Sequence, residues 1–148
     1  MILEVLIATM RGSEMQSILS VEAIANTGLV GDRYVIDLNR NGDDYRVTLI
    51  ESEEIERYTL EYGKSFSASD MRRNLVTRGV RLNELVGQRF SVGNTVVLEG
   101  IEVCEPCSLL ACRTDKSIVK DMLHRGGLRA RICVGGTISV NDTIRSMS

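Results

Sequence analysis

The densest chemistry in this 148-residue chain is Cys104-Glu105-Pro106-Cys107, with Cys112 five residues further on and Cys133 as the fourth cysteine. A thiolate can attack an electrophile, carry sulfur or ligate a soft metal, and nearby arginine favours its formation. Several readings compete for the pair. A zinc site wants a second pair at set spacing, which Cys112 and Cys133 do not supply, and the single histidine, His124, falls on a helical stretch. The order C-x2-C-x4-C matches neither ferredoxin spacing. A thioredoxin-like redox pair belongs early in a βαβ unit, whereas this one follows a run of strands and contains the only proline of the chain, Pro106. The remaining readings are a single working thiolate at Cys107, with Cys104 as a structural or resolving neighbour, and four cysteines that are simply small buried hydrophobes.

A second constellation is Met71-Arg72-Arg73-Asn74 at the mouth of a strand. Two planar guanidinium forks and an amide could clamp a phosphate and read a heterocycle edge, although arginine before a strand is commonly just solvated. Gly31-Asp32-Arg33 offers either an ion pair stapling a turn or an anion contact. Lys116, Lys120 and Arg125 read as an exposed helix face, and His124 as a complement to a helix C-terminus. Charge is unevenly placed: residues 1–63 hold 5 basic and 12 acidic groups, residues 64–148 hold 13 and 8. That asymmetry reads either as a solvated basic face or as a pocket for a small anion. Nucleic acid is a poor fit, because the sequence pI is about 5.5, aromatics make up 4% and tryptophan is absent.

These residues must be positioned by short elements. Ile2 to Ala8, Leu19 to Ala25, Arg46 to Glu51, Asn74 to Arg78, Gln88 to Val92, Thr95 to Val103, Leu128 to Val134 and Thr137 to Val140 read as strands. Gly100 marks a bulge within one of them. Arg40-Asn41-Gly42-Asp43-Asp44 reads as a hairpin turn. A helix is expected from Ser52 to Tyr62, with Glu53 and Glu54 opposing the dipole and Gly63 closing it. Leu82 to Val86 reads as a helical turn, and Ser117 to His124 as another helix ended by Gly126-Gly127. About eight strands and two or three short helices suit a closed or partly open β-barrel in a single domain, 1–148. No apolar run approaches a membrane span, and Met1 to Met10 carries no signal-peptide pattern, so a cytoplasmic protein is expected.

Taken in order, the segments from Gly28 to Tyr34, Arg46 to Glu51 and Arg72 to Gly79, with Leu82, Asn83 and Gly87, resemble the MOSC domain. So do Cys104 to Cys107 and Arg125 to Arg131 with Gly135-Gly136. The family is named for the C-terminal domain of molybdenum cofactor sulfurase. The resemblance implies a pyruvate-kinase-barrel-like fold that binds molybdenum cofactor (molybdopterin) or carries activated sulfur on a cysteine. Cys107 is the matching thiol, as molybdenum ligand or persulfide carrier, while Arg33, Arg72 and Asn74 match the residues that hold the anionic pterin. Arg129 and Arg131 match the closing strand without an assigned contact. The expected activities are those of a sulfurtransferase or of a molybdenum-cofactor-dependent reductase component, with a cysteine desulfurase or a molybdoenzyme as partner. Pyridoxal phosphate would enter only through such a partner. The alternatives are a non-catalytic module presenting cofactor or sulfur, and a thiol-redox protein. A stand-alone domain is expected, without the additional N-terminal β-rich domain or the pyridoxal-phosphate domain of the larger relatives, and Arg73 stands where the reductases often carry proline.

Overall fold

The computed structural model describes residues 1–10, 13–32, 47–62, 71–104 and 126–147. Among them are eleven strands: β1 (Ile2–Ile7), β2 (Gln16–Ile18), β3 (Ser20–Ile24), β4 (Gly28–Leu29), β5 (Val47–Glu51), β6 (Leu75–Thr77), β7 (Arg89–Val92), β8 (Val96–Val103), β9 (Leu128–Val134), β10 (Gly136–Ser139) and β11 (Ile144–Ser146). One α-helix, α1 (Ser52–Tyr62), links β5 to β6, and Leu82–Leu85 forms a single 3-10 turn. The expected hairpin at 40–44 and the expected helix from Ser117 to His124 lie outside the described residues.

Eight strands hydrogen-bond in the order β11-β7-β8-β9-β5-β6-β1-β2, and three more form a second sheet, β10-β3-β4. The two sheets share one core. Ile2, Val5, Val47, Leu49, Leu75, Leu98, Leu128 and Ile132 of the large sheet meet Val21, Ala23, Leu29 and Ile138 of the small one. Strand alternation puts the neighbours of these residues on the opposite face. There Leu6, Ile50 and Val76 form a second cluster with Tyr58 of α1, which is 1% exposed, and Met71. The helix is amphipathic for this purpose, and its outer side is tied by Arg57 to Glu54 at 3.0 Å and to Glu61 at 2.6 Å. Strands β5 and β6 run parallel, because α1 crosses over between them.

The expectation of a mainly β fold holds. Of the two forms expected, closed or partly open, a closed barrel is not confirmed and a partly open sheet fits: no ladder joins β11 to β2 among the described residues. Its edges are three-residue strands, too short to present a long unpaired ladder. The gap is laced instead by the turn before β11, where Asn141 N–H donates to Ile2 O at 2.7 Å and Ile2 N–H to Asp142 O at 2.9 Å. Gly100 does sit at a register shift between β8 and β9. A Cβ there would lie 2.1 Å from Leu85 O, so the absence of a side chain lets the 3-10 turn pack on the strand.

Candidate functional site

Parallel pairing of β5 with β6, and antiparallel pairing of β6 with β1 and of β5 with β9, align Leu49 with Leu75 and Leu128, and Leu75 with Val5. One residue along, on the opposite face from the main core, come Leu6, Asn74, Thr48 and Arg129, and Arg129 pairs with Glu102 of β8. The Arg72-Arg73-Asn74 element and the Cys104 end of β8 are thus joined by adjacent strands.

Asn74 is fully buried. Its Oδ1 accepts from Thr48 N–H at 3.1 Å and from the Thr48 hydroxyl at 3.2 Å. Its Nδ2 donates to Leu6 O at 3.1 Å and to Asp32 Oδ1 at 3.3 Å. Both lone-pair directions and both protons of the amide therefore have partners within the chain. Asp32 is also fully buried and accepts Ala8 N–H at 3.1 Å. The result is a polar knot linking β1, β5, β6 and the Gly31-Asp32 turn. It brings together stretches more than forty residues apart, since Asn74 and Asp32 are separated by 42 positions.

Arg72 is 5% exposed and has φ +55°, a left-handed conformation that costs a non-glycine residue about 1–2 kcal/mol. Its Nη1 donates to Ser13 O. Such strain persists only where the surroundings over-determine it, and here Asn74 supplies the constraint two residues on. Arg73, 6% exposed, donates through Nε to Gly126 O at 2.8 Å.

Cys104 is 1% exposed and its N–H donates to Gly127 O at 2.7 Å. Its sulfur lies against Arg129. Burial draws the Arg129 guanidinium down, but the Cys104 sulfur, and after it Glu102 at 3.1 Å, outweigh that and hold it above the ordinary arginine value. Beside it, Arg131 pairs with Glu99 at 2.6 Å.

Of the expected site residues, Arg72 and Asn74 come together here, while Arg33 and Cys107 lie outside the described residues, as do Cys112 and His124. Arg33 directly follows Asp32 of the knot, and Cys107 is three residues beyond Cys104. Thr48 was not legible as a site residue, because a threonine inside an apolar strand carries no signal. Arg129 had only its place in the closing strand to mark it.

A two-sheet, mainly β domain with arginines and the buried Cys104 brought together by adjacent strands is the class that these observations define. A family model for the MOSC domain matches residues 38–145, and the chain belongs to that family. The matched range starts after the Gly28 to Tyr34 segment that contributed to the sequence resemblance. Solved structures similar to the whole chain include YuaD from Bacillus subtilis, at a TM-score of 0.81 and 15% identity, covering 100% of this chain and 98% of that one. They also include YiiM from Geobacillus stearothermophilus (0.75, 16%, covering 99% and 74%) and YiiM from Escherichia coli (0.73, 19%, covering 100% and 70%). At these identities the likeness is one of fold. No curated protein matches the chain by sequence. Among the described residues, no helix is long and apolar enough to cross a membrane.

Proposed function

We propose that this MOSC domain works in molybdenum-cofactor and activated-sulfur chemistry, with Cys107 as its working thiolate and an arginine-lined face for an anionic pterin. The observation that carries the reading is the Asp32–Asn74 bond at 3.3 Å, which fastens the turn preceding Arg33 to the element bearing Arg72. That bond supports the reading because it holds Asp32, the residue before Arg33 in sequence, beside Asn74, two residues after Arg72. Three residues of chain reach at most about 11 Å, so Cys107 is tethered within that distance of Cys104.

The donor set fits an anionic cofactor in charge, with one change to the roles. Arg33 and Arg72 would hold the phosphate and Cys107 would ligate the metal. Asn74 would position Arg72 and the Asp32 turn rather than touch the pterin, because its amide is already fully used. The cofactor, when bound, would supply two-electron redox chemistry at molybdenum. In the sulfur-carrying role, the Cys107 thiolate attacks the terminal sulfur of a donor persulfide, forming a new S–S bond while the donor leaves as its thiolate. A cationic surround stabilises the attacking thiolate. The thiol-redox alternative has less support, since Cys104, 1% exposed, is shielded from an exchange partner.

The test is expression in a host competent for molybdopterin synthesis. It combines elemental analysis for molybdenum, fluorescence of the oxidised pterin, and intact and peptide mass for added sulfur on Cys107. The same measurements follow incubation with a cysteine desulfurase. Metal and pterin, or one added sulfur atom, are expected in the parent chain and absent from Cys107→Ser. Absence of all three from the parent chain refutes the reading.

A further inference from the structure

A polar cleft of about 210 Å³ lies between two turns, one joining β7 to β8 and the other β10 to β11. Gly93, Asn94, Asn141, Asp142, Thr143 and Arg145 line it. Gly93 and Asn94 precede β8 and Cys104 follows it, so eight strand residues at about 3.3 Å each part the cleft from Cys104 by roughly 26 Å. The two turns are locked to each other and to β1. Gly93 N–H donates to Thr143 O at 2.9 Å, Asn141 N–H to Ile2 O at 2.7 Å, and Ile2 N–H to Asp142 O at 2.9 Å. Asp142 Oδ2 accepts Ser139 N–H at 2.8 Å. Its carboxylate lies against Gly93, where a Cβ would stand 2.8 Å from Oδ2 and 3.4 Å from Oδ1. The walls are thus set before anything enters, which lowers the ordering cost of binding.

The charges of the cleft are what single it out. Asp142 and Arg145 line it together, three residues apart and opposite in sign, yet among the described residues neither side chain has an ion-pair partner. The side-chain amides of Asn94 and Asn141 and the Thr143 hydroxyl likewise spend no hydrogen bond within the chain. We propose that this cleft binds a small zwitterion of the free amino acid class, its carboxylate on the Arg145 guanidinium and its ammonium on Asp142 Oδ1. A planar guanidinium grips a carboxylate bidentately, and each end of the ligand makes a charge-assisted bond. The two amides and the hydroxyl both donate and accept, so they serve either end. A singly charged ion would meet one of the two charges and leave the other facing it with the same sign. The site is separate from the function proposed above and needs none of its residues.

The experiment titrates the isotope-labelled full chain at neutral pH with glycine, and in parallel with acetate and with methylammonium, following backbone amide resonances. Glycine should give saturable shifts confined to residues 93–94 and 141–145. Acetate and methylammonium, each satisfying one end, should bind at least about tenfold more weakly, the loss of one charged-group bond. Arg145→Gln and Asp142→Asn should each weaken glycine by a similar factor. Asp142→Asn retains an acceptor for Ser139 N–H, so the turn keeps its bond while the charge is lost, and this variant should bind acetate at least as tightly as the parent does. Absence of saturable glycine shifts in the parent overturns the proposal. So does acetate binding as tightly as glycine, which would make the cleft a simple anion site, and so does glycine affinity unaltered in both variants.

Discussion

Replacing Asn74 tests the knot on which the candidate site depends. Asn74→Ala removes partners from Thr48 N–H, the Thr48 hydroxyl, Leu6 O and Asp32 Oδ1, all buried. Two of these losses dominate. The Thr48 amide becomes a buried donor without its acceptor, and the Asp32 carboxylate keeps Ala8 N–H but loses the asparagine. Each costs about 1–3 kcal/mol, and a water admitted to the vacated polar space returns part of it. A net loss of about 2–4 kcal/mol is expected, measurable by urea unfolding and as a fall of roughly 5–15 °C in the melting temperature. Asn74→Asp separates hydrogen bonding from shape. It is nearly isosteric but sets a second carboxylate against Asp32, raising the folded-state pKa of the pair. Such a pair favours the fold below the ordinary carboxylate range and loses that contribution as pH rises through the raised value. Asn74→Asp should thus approach the parent's stability on acidification, whereas Asn74→Ala should not. A loss below about 1 kcal/mol in Asn74→Ala, or an Asn74→Asp deficit that does not shrink in acid, would refute the assignment.

Two neighbouring carboxylates should respond to pH with opposite sign. Burial pushes Glu51 above the ordinary carboxylate value, only partly offset by the Leu82 N–H, with Glu54 and Glu53 adding to the rise and Arg81 opposing it. For Glu53, burial acts upward but is outweighed by the Gly79 N–H, its own N–H, the Ser52 hydroxyl and Arg78, leaving it below that value. Glu51 therefore supports the fold most when protonated and loses that support as pH rises through its raised pKa. Glu53 supports it when ionised and loses that support on acidification. Glu51→Gln should raise the urea midpoint near neutrality and Glu53→Gln should lower it, the first difference fading as pH falls to the ordinary carboxylate value and the second only below it; shifts of the same sign would contradict this. Among glycines, Gly127→Ala puts a Cβ 1.9 Å from Leu49 O at φ +107°, while Gly79→Ala at φ +79° meets nothing within 4 Å. Calorimetry should show a loss of about 3 kcal/mol or more for the first and about 1 kcal/mol for the second, the conformational cost alone, and equal losses would contradict the packing argument.

The sequence by itself determined the long regular elements. Ile2–Ile7, Val47–Glu51, the helix Ser52–Tyr62, and Leu128–Val134 were legible because apolar periodicity, an acidic first turn and flanking glycines act locally. It also marked Arg72, Asn74 and Gly100 as special positions and carried enough ordered motifs to indicate the family. Strands β2, β4 and β11, of two or three residues, were not legible, since a segment that short has no periodicity and exists only through its pairing.

Tertiary structure alone decided between the closed and the partly open form of the sheet among the described residues, that β5 and β6 run parallel beneath α1, and what each polar group does. Asn74 reads in sequence like a ligand contact, yet in the fold its four hydrogen-bonding valences are met by Thr48, Leu6 and Asp32. Arg73 looks like a solvated cation and is instead buried against Gly126. The physical reason is the same in both cases. Burial obliges a polar group to find partners, and which partners lie within 3 Å depends on chain segments that meet only when the sheets assemble.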